Sequence, residues 1–101
     1  MLRITSAAVP SSNSAPFLEY VQDYEIAEYE CAPGLLSVWL VQRPQVGYIE
    51  FLTLSLWQSE QTLNSFVEGQ TREYRGTAEY GAVRMDSRVY ELALLREGKR
   101  H

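Results

Sequence analysis

Two neighbouring stretches of the chain, "LLSVWLVQ" (35–42) and "YIEFLTLSLW" (48–57), are apolar at both odd and even positions. Large apolar side chains fill both sets: Leu35, Trp39 and Val41 against Leu36, Val38 and Leu40 in the first stretch, and Ile49, Phe51 and Trp57 against Leu52, Leu54 and Leu56 in the second. Successive side chains of a β-strand point to opposite faces, so strands of this kind are buried on both faces. This requirement limits the folds that are open to the chain.

The segments before these stretches predict a strand and a helix. "LRITSAAV" (2–9) is rich in residues that favour a strand. From Ala15 to Cys31, apolar side chains recur at spacings of three and four, which indicates an amphipathic helix. Ser14 is the expected cap of this helix, and the "APG" at 32–34 ends it, with Gly34 able to adopt a left-handed conformation.

The segments after the two stretches predict a second helix and a last strand. Ser59 is the expected cap of the helix, whose apolar face is formed by Leu63, Phe66 and Val67. The interval 70–85 shows no clear pattern, and "SRVYELALL" (87–95) is typical of a final strand.

The resulting element order is β-α-β-β-α-β, because the link "RPQVG" (43–47) is short enough for a hairpin. This order predicts one α+β domain, a ferredoxin-like sandwich with a four-stranded antiparallel sheet. Both helices of such a sandwich cover the same face of the sheet, so the doubly apolar strands need a second cover. A second copy of the chain is the simplest one, and we expect a homodimer joined through the sheet face.

Charge and composition exclude several classes of function. The chain has 13 acidic and 9 basic residues, and its formal net charge of −4 does not favour nucleic acid as a partner. Cys31 is the only cysteine and His101 the only histidine, which excludes a Cys/His metal cluster and a nucleophile–histidine pair. No glycine-rich phosphate-binding motif is present, and we expect no cofactor.

The sequence also predicts where the protein is found. No stretch has the roughly 20 consecutive apolar residues that cross a bilayer, so no membrane is expected as a partner. The opening "MLRITSAAVPSSNSAP" lacks the basic leader and long apolar core of a signal peptide. We therefore expect a soluble, cytoplasmic protein.

Residues 33–69 resemble the core of the antibiotic biosynthesis monooxygenase-like (ABM) family, which belongs to the dimeric α/β-barrel superfamily. Its members show a "PG" that enters the second strand, and a strand that runs into W-x-S/D-x-E/Q before an amphipathic helix. The matching residues here are Pro33-Gly34 and Trp57-Gln58-Ser59-Glu60-Gln61. The resemblance implies two ferredoxin-like chains whose sheets form a barrel, with a ligand pocket in each chain between sheet and helices.

The resemblance also bears on activity. Some relatives are cofactor-free oxygenases of polycyclic aromatic substrates, and others degrade haem with a first-strand Asn, a second-helix aromatic and a later His. This chain has no Asn in its first strand, and Phe66 and Gly76 stand near the other two positions, which disfavours haem degradation. Quinone-forming relatives use pocket Trp, Asn, Tyr or Arg side chains, and residues of these types here are Trp57, Asn64, Tyr74 and Arg72.

Trp57 has two interpretations. It shares a strand phase with Phe51, Thr53 and Ser55, and a face that mixes aromatic rings with hydroxyls suits a pocket for a flat substrate. Phe66 would complete the wall of such a pocket. Alternatively, Trp57 fills the core where strand meets helix, which is the commoner use of a large aromatic residue.

Glu28 is the candidate base. A regular helical wheel places it among Phe17, Val21 and Tyr24, where burial and the helix C-terminus would raise the pKa of its carboxyl. The alternative is that the last turn leaves the sheet and Glu28 reaches water or an arginine. Arg72 and Tyr74, in "TREYRG" (71–76), belong either to a lid over the ligand or to a solvated connector.

These observations predict a homodimer that binds a hydrophobic or aromatic small molecule and acts as a cofactor-independent monooxygenase. In this scheme Glu28 or Tyr74 removes a proton, Trp57 and Phe66 hold the ring, and Arg72 stabilises the enolate. A non-catalytic ligand-binding or structural protein, and an isomerase or lyase of the same superfamily, remain alternatives. Side chains that fill the space between Trp57, Phe66 and the first helix would favour a structural role, and an open cavity that holds Glu28 or an arginine would favour catalysis.

Overall fold

The computed structural model of the chain describes residues 1–70 and 79–98. Its strands are β1 (Leu2–Pro10), β2 (Leu35–Pro44), β3 (Tyr48–Trp57) and β4 (Val83–Tyr90). A first helical segment lies between β1 and β2 and contains a 3-10 turn (Ser11–Asn13), helix α1 (Ser14–Tyr20), a π-helical stretch (Val21–Glu25) and helix α2 (Ile26–Glu30). Helix α3 (Glu60–Gly69) follows β3.

The strands form one antiparallel sheet in the order β2-β3-β1-β4. This order and the two helical connections confirm the predicted ferredoxin-like α+β fold. β2 and β3 form the expected hairpin, in which the Gln45 amide donates to the Tyr48 carbonyl at 2.8 Å.

The expected bounds of the last strand, 87–95, are wrong at both ends. The strand begins at Val83 and ends at Tyr90, which lies opposite Leu2 at the start of β1. Pairing with β1 therefore decides where β4 ends, and the apolar run of Leu92, Leu94 and Leu95 lies beyond the sheet and is exposed. Strand propensity alone could not supply this limit, because it depends on the partner strand.

The buried side of the first helical segment repeats every four residues: Phe17, Val21, Glu25 and Tyr29. With 3.6 residues per turn, an uninterrupted α-helix would turn such a repeat away from the sheet by about 40° at each step. The π-helical stretch has wider turns and keeps the repeat aligned.

The predicted burial of Glu28 is therefore wrong. Glu28 is exposed and Glu25 is buried in its place, because the helical wheel assumed a regular α-helix. The same change of register leaves Tyr24 exposed. Cys31, expected to end the helix, follows its last residue, Glu30, and is exposed.

Two clusters of buried side chains fill the layer between helices and sheet. The first, near α1, consists of Val9, Phe17, Val21, Phe51 and Ala82. The second, near α3, consists of Tyr29, Trp57 and Leu63, with Phe66 and Val38 packed at its edge. We call the second one the Trp57 cluster.

One junction joins the motifs on which the family resemblance rests. Gly34 has a φ of +83°, and a Cβ placed on it would lie 2.5 Å from the side chain of Thr62, so only glycine fits here. Its carbonyl accepts the Gln58 amide at 2.8 Å. Thr62 is also half of the capping box with Ser59, whose hydroxyl accepts the Thr62 amide at 3.2 Å and confirms the predicted cap of α3.

The predicted cap of the first helix is wrong. Its N-cap position is Asn13, and the Ser14 hydroxyl instead donates to the Ser11 carbonyl at 2.8 Å. The preceding 3-10 turn starts helical backbone earlier than the sequence indicates.

The face of the sheet that points away from the helices is apolar at its centre. Register places Leu54 between Trp39 and Ile4, and Val41 beside Leu52. Trp39 is 41% exposed and Val41 42% exposed, although both lie in the interior of a strand. No helix within the described ranges is long and apolar enough to cross a membrane.

Candidate functional site

A cavity of about 300 Å³ that is lined mainly by polar residues opens beside the Trp57 cluster. It lies between β1, β4 and the first helical segment, and its lining is Arg3, Thr5, Ser6, Glu25, Tyr29, Thr53, Gln70, Arg84, Met85, Asp86 and Ser87. Strand alternation brings Arg3 and Thr5 to the helix side of β1, next to Ser55 and Thr53 of β3. We call this the Arg3 cavity.

Arg3 is half-buried and is held by two neutral acceptors. Its Nη1 donates to the Tyr29 hydroxyl and to the Gln70 side-chain oxygen, each at 3.2 Å. These bonds tie β1 to the end of the first helical segment and to the residue that follows α3. The guanidinium is thereby fixed at the wall of the cavity.

Glu25 is the buried carboxylate of the site, with 7% of its surface exposed. Arg84 of β4 donates to its Oε1 at 2.5 Å. Burial raises the pKa of the Glu25 carboxyl, and this desolvation outweighs the charge and hydrogen bond of Arg84, which lower the pKa. A carboxyl with this balance is held in place and can take up a proton at a higher pH than an ordinary glutamate.

Tyr29 joins the cavity to the Trp57 cluster. Burial raises the pKa of its hydroxyl, against the lowering effect of the Arg3 charge. Tyr29 is therefore a neutral phenol that accepts a hydrogen bond from Arg3. Its ring lies 4.6 Å from the Phe66 ring and 6.4 Å from the Trp57 ring, centroid to centroid.

Trp57 is enclosed within its cluster, with 1% of its surface exposed. Its Nε1 donates to the Ser55 hydroxyl at 2.8 Å, and its ring lies 5.0 Å from the Phe66 ring. The Tyr29 ring thus fills the space between Trp57, Phe66 and the first helical segment. Trp57 lines neither the Arg3 cavity nor the cleft described next.

Glu28 lines a second cleft, of about 620 Å³, between the end of α2 and helix α3. The cleft also contains Phe66 and Cys31, and it meets the Arg3 cavity at Gln70. Glu28 and Phe66 therefore line the same cleft, whereas Glu25 lines the Arg3 cavity.

The remaining predicted site residues are dispersed. Thr53 lines the Arg3 cavity, whereas Phe51 belongs to the first core cluster and Ser55 is 1% exposed beneath Trp57. Asn64 is exposed on α3. Arg72 and Tyr74 lie outside the described residues.

Four residues of the cavity were not predicted from the sequence: Arg3, Glu25, Tyr29 and Arg84. The four-residue repeat that contains Glu25 and Tyr29 was a usable signal, because a carboxylate between Val21 and Tyr29 interrupts an otherwise apolar stripe. Arg3 and Arg84 gave no comparable signal, since their inward placement depends on the register of β1 and β4. Over residues 1–70 and 79–98, no three Cys, His, Asp or Glu side chains lie together as metal ligands.

No protein-family model matches the chain, and no curated protein matches it in sequence. Solved structures match it closely in fold. A protein of Deinococcus radiodurans assigned as an antibiotic biosynthesis monooxygenase is 14% identical, with a TM-score of 0.73 over 98% of this chain and 99% of that one.

Two further matches have stated activities. A mutant of SnoaB, a cofactor-independent oxygenase from Streptomyces nogalater, has a TM-score of 0.60 and 10% identity over 94% of this chain and 97% of that one. MhuD, a heme-degrader from Mycobacterium tuberculosis with two hemes in its active site, has a TM-score of 0.57 and 18% identity over 96% and 100%. The chain thus has the fold of the antibiotic biosynthesis monooxygenase proteins, as residues 33–69 predict.

Proposed function

We propose that this chain is a homodimeric, cofactor-independent monooxygenase that acts on a hydrophobic, aromatic small molecule in the Arg3 cavity. The observation that carries the proposal is the carboxyl of Glu25, which is buried at the cavity wall and held by Arg84. The similarity in fold to SnoaB supports the reaction type. The first strand, which lacks an Asn, argues against haem as the substrate.

The reaction begins with removal of a proton from an acidic C–H group of the substrate. Because burial raises its pKa, the Glu25 carboxylate is a stronger base than an ordinary glutamate. The resulting carbanion gives one electron to O₂, and the two radicals combine to form a peroxide, which takes a proton back. Loss of water then leaves a carbonyl, so that one CH₂ group and one O₂ yield one C=O and one H₂O.

The other cavity residues position the substrate. The Tyr29 ring offers a flat wall, which Trp57 and Phe66 support from behind. The Thr53 hydroxyl can orient a polar group on the ring. In this arrangement Trp57 acts through Tyr29 and does not touch the substrate.

The proposed homodimer covers the apolar sheet face. Trp39, Val41 and their neighbours on β3 and β1 would be buried against the same face of a second copy. The charged residues of this face, including the Arg43–Glu50 pair at 3.0 Å, lie at its rim, and its centre is apolar. A single sedimenting species of monomer mass at micromolar concentration would refute this part of the proposal. The cytoplasmic location stays a prediction.

A non-catalytic ligand-binding protein is the second candidate. It is favoured by the ion pair between Glu25 and Arg84, since a carboxylate that never leaves its partner would not act as a base. The tight packing of Trp57 also fits a structural role for that residue. Turnover separates these two candidates.

The experiment measures O₂ consumption with a hydroxyanthrone, an aromatic substrate with an acidic CH₂ group. We expect the wild-type chain to convert it to the anthraquinone, and Glu25→Gln to lower kcat by roughly 100-fold or more, since general bases contribute about 10²- to 10⁴-fold. Glu28→Gln is the matched comparison, three residues along the same helical segment. A loss in Glu28→Gln but not in Glu25→Gln would return the base role to Glu28, and saturable binding without turnover would support the non-catalytic candidate.

A further inference from the structure

The arginines of this chain differ in how their charges are balanced. Arg43, Arg84 and Arg88 each form an ion pair with a carboxylate. Arg3 forms none with any residue in 1–70 and 79–98, and both of its hydrogen-bond acceptors are uncharged. The raised pKa of the Tyr29 hydroxyl keeps that partner neutral as well.

An arginine in this position is costly unless something neutralises it. The guanidinium group of an arginine does not lose its proton in a protein. A half-buried charge without a counterion loses hydration and gains no Coulomb energy in return. An apolar residue would suit the position of Arg3 better, because the helix side of β1 carries the buried apolar residues Ala7 and Val9 further along the strand.

The other charges of the cavity do not supply the counterion. Glu25 is paired with Arg84. Asp86 also lines the cavity, but its carboxylate pairs with Arg88 at 2.9 Å. Of the two arginines in the cavity lining, Arg84 is therefore paired with a carboxylate, whereas Arg3 is paired with none among the described residues.

Donor groups also remain for a ligand. A guanidinium has five N–H groups, and both bonds of Arg3 leave from Nη1. The N–H groups on Nε and Nη2 have no partner within the described part of the chain. Their fork geometry matches two oxygen atoms of one anion.

We infer that Arg3 is an anion anchor: the substrate of the Arg3 cavity carries an ionised oxygen, as a carboxylate or an acidic phenolate, which binds the Arg3 guanidinium. The inference rests on the proposed function, because it names the class of the substrate for that cavity. The aromatic body of the ligand lies against Tyr29, and its anionic end supplies the counterion that no described residue provides.

The test compares two ligands of the same shape, 2-naphthoate and the uncharged 2-naphthamide, by calorimetric titration of the full chain. We expect the wild-type chain to bind naphthoate at least about tenfold more tightly, since a hydrogen bond between two charged groups is stronger than one to a neutral amide. Arg3→Met should bind both ligands with similar affinity. Arg96→Met, which removes the same charge from an exposed position beyond β4, should keep the preference.

Two results would overturn the inference: equal affinities for the two ligands in the wild-type chain, or an undiminished preference in Arg3→Met. A wild-type titration with 2-naphthol avoids any folding defect of the variant. Its binding should tighten as pH rises through the pKa of the naphthol, and affinity that does not change across that range would exclude the phenolate form.

The two proposals fail separately. O₂ consumption that is unchanged in Glu25→Gln, together with an intact preference for naphthoate, would remove Glu25 as the base and leave the Arg3 anchor standing. Turnover of hydroxyanthrone at an unchanged KM in Arg3→Met, with no preference for naphthoate in the wild-type chain, would remove the anchor and leave the proposed reaction standing.

Discussion

Two neighbouring regions of the layer between helices and sheet are filled in opposite ways. In the Trp57 cluster, Trp57 is enclosed by aromatic and aliphatic side chains, and the Ser55 hydroxyl satisfies its indole N–H. The Arg3 cavity beside it is lined by charged groups, among them Arg3 and Glu25. Tyr29 is the boundary, because its ring packs against Trp57 and Phe66 while the residue also lines the cavity, where its hydroxyl accepts a hydrogen bond from Arg3.

This difference separates residues that hold the fold from residues available for chemistry. Buried apolar packing stabilises a domain, whereas buried charges are costly and are kept where they have a use. The aromatic residue that draws attention in the sequence belongs to the first class. Of the second class, Arg3 lies opposite Ser55, two positions before Trp57 on β3, and Glu25 lies four residues before Tyr29.

Truncation of Trp57 is the largest expected effect. Trp57→Ala should lower the free energy of unfolding by about 3–5 kcal/mol, because it removes a fully buried ring and leaves a cavity. Urea unfolding followed by circular dichroism measures the change. A loss below about 1 kcal/mol would mean that the Trp57 cluster is not tightly packed.

The glycine junction beside the Trp57 cluster should be nearly as sensitive. Gly34→Ala should cost about 1–2 kcal/mol for the left-handed backbone alone, and more for the contact of its Cβ with Thr62. Gly69→Ala is the control, because a Cβ there meets nothing within 4 Å. Equal stability of the two variants would show that the junction tolerates a side chain.

A smaller effect, in pH dependence, should mark the Arg3 cavity. The pKa of Glu25 is raised in the folded state, so its stabilising contribution is fully present below about pH 4.3, the unfolded value, and is lost as pH rises through the folded value. Wild-type stability should therefore fall over that interval, and Glu25→Gln should lack this component of the fall. If the free energy of unfolding of the two proteins changes with pH in the same way, the pKa of Glu25 is not raised by the fold.

The fold was predictable because its signals are local. Pro33-Gly34 and Trp57-Gln58-Ser59 meet at one junction, where a left-handed glycine, a strand end and a capping box contact one another. Each of these requirements selects particular residue types at particular spacings. The motif that carries the family resemblance is thus a structural one.

The site was less predictable because its residues depend on geometry that the sequence pattern does not contain. The π-helical stretch exchanges Glu28 for Glu25 at the buried face, and a helical wheel at 100° per residue cannot anticipate it. The position of Arg84 depends on a register shift between β1 and β4 at Ser6/Ala7. Such shifts are set by pairing across the sheet and by the requirements of neighbouring elements.

The central claim is that the ligand binds in the Arg3 cavity and not within the Trp57 cluster, and a crystal structure of the chain with 2-naphthoate tests it most directly. We expect the ligand in the Arg3 cavity, with its carboxylate in hydrogen-bond range of the Arg3 guanidinium and its rings against Tyr29. A ligand inserted between Trp57 and Phe66, or seated with its carboxylate away from Arg3 in the cleft that contains Glu28, would contradict it.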